Sequence, residues 1–239
     1  MKLRTFLASL AVLVISTSVA FADSKFNQVK PGEYDPGKSQ LVQGAWLAGL
    51  GCPTMAEFSN AYTGANDSYT DPACAAGGDE KDKHNEGLIL AKTGPTANNA
   101  AAYAVLENVK GMTLTELGYD IRKPSASADP RGSHCGAGSP RFNVTTTAGF
   151  FFIGCNSPPA TQTTVGSGWL RLRWGVGGPL QGYLGGVTLT TITGEVKSIA
   201  ILFDEGQDAL GAPDMFGLAV LDNIDVNGML VGRGPTDAD

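Results

Sequence analysis

From Gly87 to Val226 the chain runs as short apolar segments, broken at close intervals by Gly, Pro and Asn. That rhythm leaves little room for a long amphipathic helix and predicts strands joined by turns. Leu117, Tyr119 and Ile121 alternate with Glu116, Asp120 and Arg122, the period-two pattern of a strand with one buried face. Leu88–Leu90, Tyr103–Val109, Trp169–Trp174 and Gly217–Val226 read as further strands, although the alanines ahead of Tyr103 also suit a helical turn. Phe142–Thr145 and Phe150–Ile153 predict a hairpin turning near Ala148 and Gly149. Val187–Ile192 and Val196–Phe203 predict a second hairpin, turning at Gly194. About eight or nine short strands of this kind predict one all-β domain, an antiparallel β-sandwich of the jelly-roll type. Thirty-two glycines in 239 residues and a charged fraction of 17% favour a turn-rich β protein over a helical one.

The first residues carry a different message. Lys2 and Arg4 precede an apolar run from Phe6 to Ile15, and Ala20-Phe21-Ala22 supplies a small-x-small cleavage pattern. This predicts a signal peptide over residues 1–22 and a mature chain that starts at Asp23, secreted or periplasmic. The apolar run is too short to span a bilayer comfortably, so no membrane insertion of the mature form is expected. Loss of Lys2 and Arg4 leaves 15 cationic against 23 acidic residues, which moves the net charge from −6 to −8. An acidic chain of this kind is a poor partner for nucleic acid or for anionic membrane surfaces.

Residues 23–85 read as an irregular N-terminal cover segment, rich in turn signals such as Pro31-Gly32 and Asp35-Pro36-Gly37. Its apolar patch, Leu41–Leu50 with Trp46, is expected to pack on the domain with a short helix. Residues 86–230 form the sandwich domain, and 231–239 a disordered tail. The four cysteines, Cys52, Cys74, Cys135 and Cys155, suit an oxidising compartment. Proximity favours Cys52–Cys74 and Cys135–Cys155, each closing a loop of about 20 residues and contributing roughly 3 kcal/mol. Zinc is the rival use of these thiols, but no CxxC is present and only His84 and His134 could join them.

The C-terminal segment holds Phe203-Asp204-Glu205-Gly206-Gln207-Asp208 and then Leu221-Asp222-Asn223-Ile224-Asp225-Val226-Asn227-Gly228. From Thr188 to Gly228 it resembles the ends of secreted jelly-roll domains of the carbohydrate-binding-module or galactose-binding-like type. It is similar, too, to exported bacterial proteins that carry no assigned activity. The resemblance implies a structural calcium ion (Ca2+) at the edge of the sandwich, with Asp204, Glu205, Asp208 and Asp222 as oxygen donors. A solvated acidic turn is the alternative.

Trp169-Leu170-Arg171-Leu172-Arg173-Trp174 offers a second candidate. Alternation puts Leu170, Leu172 and Trp174 in the core and Trp169, Arg171 and Arg173 on the opposite face. An exposed Trp169 beside two guanidinium groups would stack on a sugar ring and bond to its hydroxyls or acid groups. In the alternative, a loop covers Trp169 and the arginines pair with carboxylates. Catalytic signatures are weaker: there is no HExxH, GxSxG or P-loop. Ser133-His134-Cys135 reads as a disulfide-pinned loop, and Asp204-Glu205 is sequential, not a pair set across a cleft. The sequence therefore points to a non-catalytic exported sandwich that binds an extracellular glycan. The alternatives are a structural or matrix-associated protein without a small ligand and, third, a polysaccharide-active hydrolase.

Overall fold

Alternating side chains sort the strands, numbered in chain order, into two facing antiparallel sheets. The computed structural model describes residues 26–59, 66–70, 74, 76–97, 99–123, 139–166, 168–205 and 217–235. The expected signal peptide, Ser133, His134, Cys135 and Asp208 lie outside these residues. Sheet A has the spatial order β1 (Gln28–Tyr34), β6 (Ala101–Glu107), β14 (Val196–Phe203), β8 (Arg141–Thr146), β9 (Phe150–Ile153), β12 (Gln181–Leu184), β13 (Thr188–Thr191). Sheet B runs β10 (Thr161–Thr164), β11 (Leu170–Trp174), β7 (Leu117–Arg122), β15 (Gly217–Val226), β5 (Gly87–Lys92), β2 (Val42–Leu47), with β16 (Met229–Val231) also beside β15. A separate hairpin pairs β3 (Thr54–Ser59) with β4 (Asn66–Thr70). Successive strands cross repeatedly between the sheets, so the expected antiparallel sandwich is the architecture found.

The core fills the space between the sheets. Ala102, Ala104, Leu106, Phe142, Val144, Phe151, Ile153, Ile199, Ile201 and Phe203 come from sheet A. They meet Leu88, Leu90, Leu117, Tyr119, Ile121, Leu170, Leu172, Trp174, Leu221 and Ile224 from sheet B. Each large side chain removed from water here stabilises by about 1.5–3 kcal/mol. Tyr119, Phe142 and Trp174 form an aromatic group with ring centroids 5.4–5.9 Å apart. Trp174 Nε1 donates to Pro158 O at 2.8 Å, and Tyr119 Oη to Pro140 O at 2.8 Å, so neither polar tip is orphaned.

Three expectations need correction. Residues 23–85 are not irregular throughout: β1 and β2 are edge strands of the two sheets. Pro31-Gly32 reads as a turn, but Pro31 sits on an edge strand, paired among the described residues to β6 alone, where a missing N–H is tolerated. Leu41–Leu50 holds β2 and no helix, because Trp46 anchors it to β1 through Nε1 donating to Val29 O at 2.9 Å. Second, β13 and β14 are not a hairpin. β13 pairs with β12 at the edge, while β14 sits between β6 and β8. Gly194, at φ 82°, lets the chain pass tightly beneath the β8–β9 turn, where a Cβ would meet Ala148 N at 2.9 Å. Third, residues 231–235 are packed. Val231 is buried, Gly232 N donates to Asp79 Oδ2 at 3.0 Å, and Gly234 N donates to Glu86. Among the described residues no helix is long and apolar enough to cross a membrane.

Candidate functional site

Cys52, Cys74, Gly77 and Asp79 reach the outer face of sheet B and decide the fate of the Trp169–Arg171–Arg173 face. Cys52 and Cys74 form a disulfide, as expected from their spacing. With Val165, Val220 and Trp169 they make a second small apolar core, outside the sandwich. Cys155 is also disulfide-bonded, and the expected partner Cys135 is outside the described residues. Trp169 is 0% exposed, and the Arg122 guanidinium stands 5.6 Å from its ring centroid. The exposed stacking platform expected of Trp169 is therefore absent. The register itself is as expected, since Leu170, Leu172 and Trp174 enter the main core.

The two arginines enter a buried ionic network. Arg171 clamps Asp120 with Nε to Oδ1 at 2.8 Å and Nη2 to Oδ2 at 2.9 Å, and Nη2 also donates to Gly77 O. Arg173 pairs opposite Gly118, where a Cβ would meet its Cδ at 2.3 Å. The missing side chain lets the guanidinium fold across β7 and reach Asp225 Oδ2 at 3.0 Å and Asp120 Oδ1 at 3.4 Å. Hydrogen bonding to Asp120 raises the Arg171 pKa, whereas burial lowers that of Arg173. Asn223 completes the network: Nδ2 donates to Asp120 Oδ2 at 3.0 Å and Oδ1 accepts from Asp79 N at 2.7 Å.

Asn223 adopts φ 45° at a bulge in β15, where the register shifts between Asp222 and Asp225. The extra residue keeps Leu221 and Ile224 on the core face and sends Asp222 and Asp225 outward. Asp222 Oδ2 accepts from Cys52 N at 2.7 Å, and burial, with the Asp120 charge adding to it, holds this carboxyl well above the usual range. This face pins the cover segment to the sheet.

Of the four expected calcium donors, the three that are described make other contacts. Burial raises the Asp204 pKa, but the Arg141 clamp, two contacts of 2.7 Å, and the Ser139 hydroxyl outweigh it, and the net shift is downward. Glu205 is buried in an ion pair with Lys123. Asp222 belongs to the outer face of sheet B, and Asp208 is outside the described residues. Among the described residues no group of three His, Cys, Asp or Glu side chains could hold a metal ion.

A different surface, at one end of sheet A, gathers aromatic and uncharged polar side chains. Between Phe142 and Gly194 the only charged residues are Arg171 and Arg173, both held in the network above. This stretch builds β8, β9, β12 and β13, one end of sheet A. Pairing aligns Asn143, Phe152, Tyr183 and Leu189 in a row across its outer face. Phe150, two residues from Phe152, is 38% exposed, and their rings meet edge to face at 4.6 Å. Tyr183 Oη and Ser157 Oγ share a hydrogen bond of 2.7 Å. Asn143 Oδ1 has no hydrogen-bond partner among the described residues. The sequence carried a trace of this row, because Phe150 and Phe152 are spaced to share a face. The unbroken run of four apolar residues hid it.

No family model matches the chain, and no curated protein sequence matches it. Among solved structures it is similar to the family 11 carbohydrate-binding module of the cellulosomal cellulase Lic26A-Cel5E of Clostridium thermocellum. The identity is 14%, over 86% of this chain and 98% of that one, with a TM-score of 0.32. Two facing antiparallel sheets and the Cys52–Cys74 bridge define the class. The protein is a disulfide-stapled, antiparallel β-sandwich.

Proposed function

We propose that the protein is an exported, non-catalytic β-sandwich that binds a neutral glycan on the outer face of sheet A, at Phe150, Phe152 and Tyr183. The observation that carries this reading is a group of outer-face aromatic rings, Phe150 exposed and Phe152 and Tyr183 half-buried, on two strands, β9 and β12, that carry no charged residue. Sugar rings present C–H faces that pack on aromatic rings, and hydroxyls that bond to neutral amides and alcohols. Asn143, Gln181 and Ser157 supply such groups beside the row. Within residues 142–194 both cations, Arg171 and Arg173, are committed to the Asp120 network, so an anionic polymer would meet Lys197 of the neighbouring β14 and no cation of β9 or β12. Export is supported by the N-terminal sequence and by the Cys52–Cys74 disulfide, which persists in oxidising compartments. The hydrolase reading loses support because Asp204 and Glu205 are each ion-paired.

Affinity electrophoresis through gels that contain neutral or anionic polysaccharides tests the proposal. Retardation by a neutral polymer, weakened about three- to tenfold in Phe150→Ala, is the expected result, as loss of one ring contact removes about 1 kcal/mol. If no glycan retards the wild type, the structural or matrix-associated reading takes its place.

A further inference from the structure

The two sides of the sandwich treat their sheet edges differently. On one side β1 and β2 cover each other: Gly44 N donates to Glu33 Oε1 at 3.2 Å, and Trp46 reaches Val29. β1 also carries Lys30, Pro31 and Glu33, the residues by which exposed edges avoid pairing. On the other side sheet A ends in β13, Thr188-Leu189-Thr190-Thr191. Three of its four residues are exposed, none is charged, and among the described residues β12 is its only neighbour. Val187, 83% exposed, Leu184 and Leu189 flank this edge with apolar surface.

We infer that β13 is a self-pairing edge, and that two copies of this chain join through it to make one continuous sheet, with seven strands from each copy. The charge distribution selects a second copy as the occupant. Outside residues 142–194 the chain holds 15 cationic and 23 acidic residues, so like copies repel over most of their surface. The charge-free side is where they approach without that cost. A two-fold axis perpendicular to the sheet pairs β13 with itself antiparallel and closes the assembly at two. The pleat then sets Leu189 of one copy opposite Leu189 or Thr191 of the other, all on the outer face. The pairing goes beyond the glycan reading and does not depend on it. Were both to hold, the two rows of Phe152 and Tyr183 would run on as one platform. Their outer phenylalanines would stand five strand spacings apart, about 24 Å.

Light scattering of the processed, disulfide-intact protein over a concentration series tests the inference. A mass approaching twice that of one chain is expected. Leu189→Asp should raise the dissociation constant by about tenfold or more, because it sets like charges across the axis. Thr188→Lys, also on an exposed edge position, serves as a second variant, with thermal melts to verify that each remains folded. Val176→Asp, half-exposed at a separate loop, should leave the mass unchanged. A monomer at every concentration overturns the inference, as does a dimer that folded Leu189→Asp and Thr188→Lys leave intact. A mass that climbs past two copies overturns it as well, since pairing β13 to β10 is head-to-tail and does not close.

Discussion

Trp169, just ahead of β11, and Trp174, its last residue, are both buried yet occupy different cores on opposite faces of one sheet. Trp174 belongs to the sandwich and Trp169 to the small cluster under the Cys52–Cys74 segment. Both should behave as core residues. Trp174→Ala and Trp169→Ala are each expected to lower unfolding free energy by about 3–5 kcal/mol, read by urea titration. A Trp169→Ala protein as stable as wild type would mean that the outer cluster contributes no cohesion.

The disulfide and Trp169 form one unit, so loss of the bridge should be visible at the indole. The double substitution Cys52→Ala, Cys74→Ala removes a crosslink across 22 residues, and should cost roughly 3 kcal/mol. Fluorescence of a Trp46→Phe, Trp174→Phe background, in which Trp169 is the sole indole, should then shift to the red as water reaches the ring. An unchanged emission maximum would show that the cover stays seated without its staple.

Asp120 is fully buried between two guanidinium groups, and its removal would leave both without their shared anion. Asp120→Ala is expected to cost about 3–5 kcal/mol, as breaking a buried ion pair does. Arg171→Ala should cost less, because that side chain is partly solvated. A double-mutant cycle between the two isolates the coupling, and zero coupling energy would contradict the clamp geometry.

Proton linkage separates two carboxylates by sign. Burial raises the folded-state pKa of Asp222 well above its ordinary 3.8, so the folded chain keeps a proton that the unfolded chain releases. Stability therefore falls as pH rises from that ordinary value through the raised one. Asp204 acts oppositely: its folded-state pKa is depressed, and its contribution is lost as pH falls through that value. Asp82 and Glu116, also raised by burial, share the direction of Asp222, so the comparison must be made against Asp222→Asn. Urea midpoints across a pH series should decline less steeply above about pH 4 in this variant than in wild type. Parallel curves would remove Asp222 as the source.

Local pattern was enough for strands such as β7 and β11 and their inward faces, though not for β1, β2, β10 or β12. Leu117, Tyr119 and Ile121, or Leu170, Leu172 and Trp174, declare a buried face because side chains on a strand alternate, whatever lies beside them. The loop between Cys52 and Cys74 was short enough to predict their pairing. Which strands become neighbours is a different matter, because pairing partners lie far apart in sequence and backbone hydrogen bonds carry no residue code. So β14 left the hairpin its Gly194 turn suggested and entered the middle of sheet A, and Pro31 proved to be part of an edge strand. Alternation also states only that Trp169, Arg171 and Arg173 face away from the core, not what lies above them. Tertiary structure alone brought Cys52, Cys74, Gly77 and Asp79 over that face. Burial there turned an expected ligand surface into an ionic network, and left the charge-free end of sheet A as the open one.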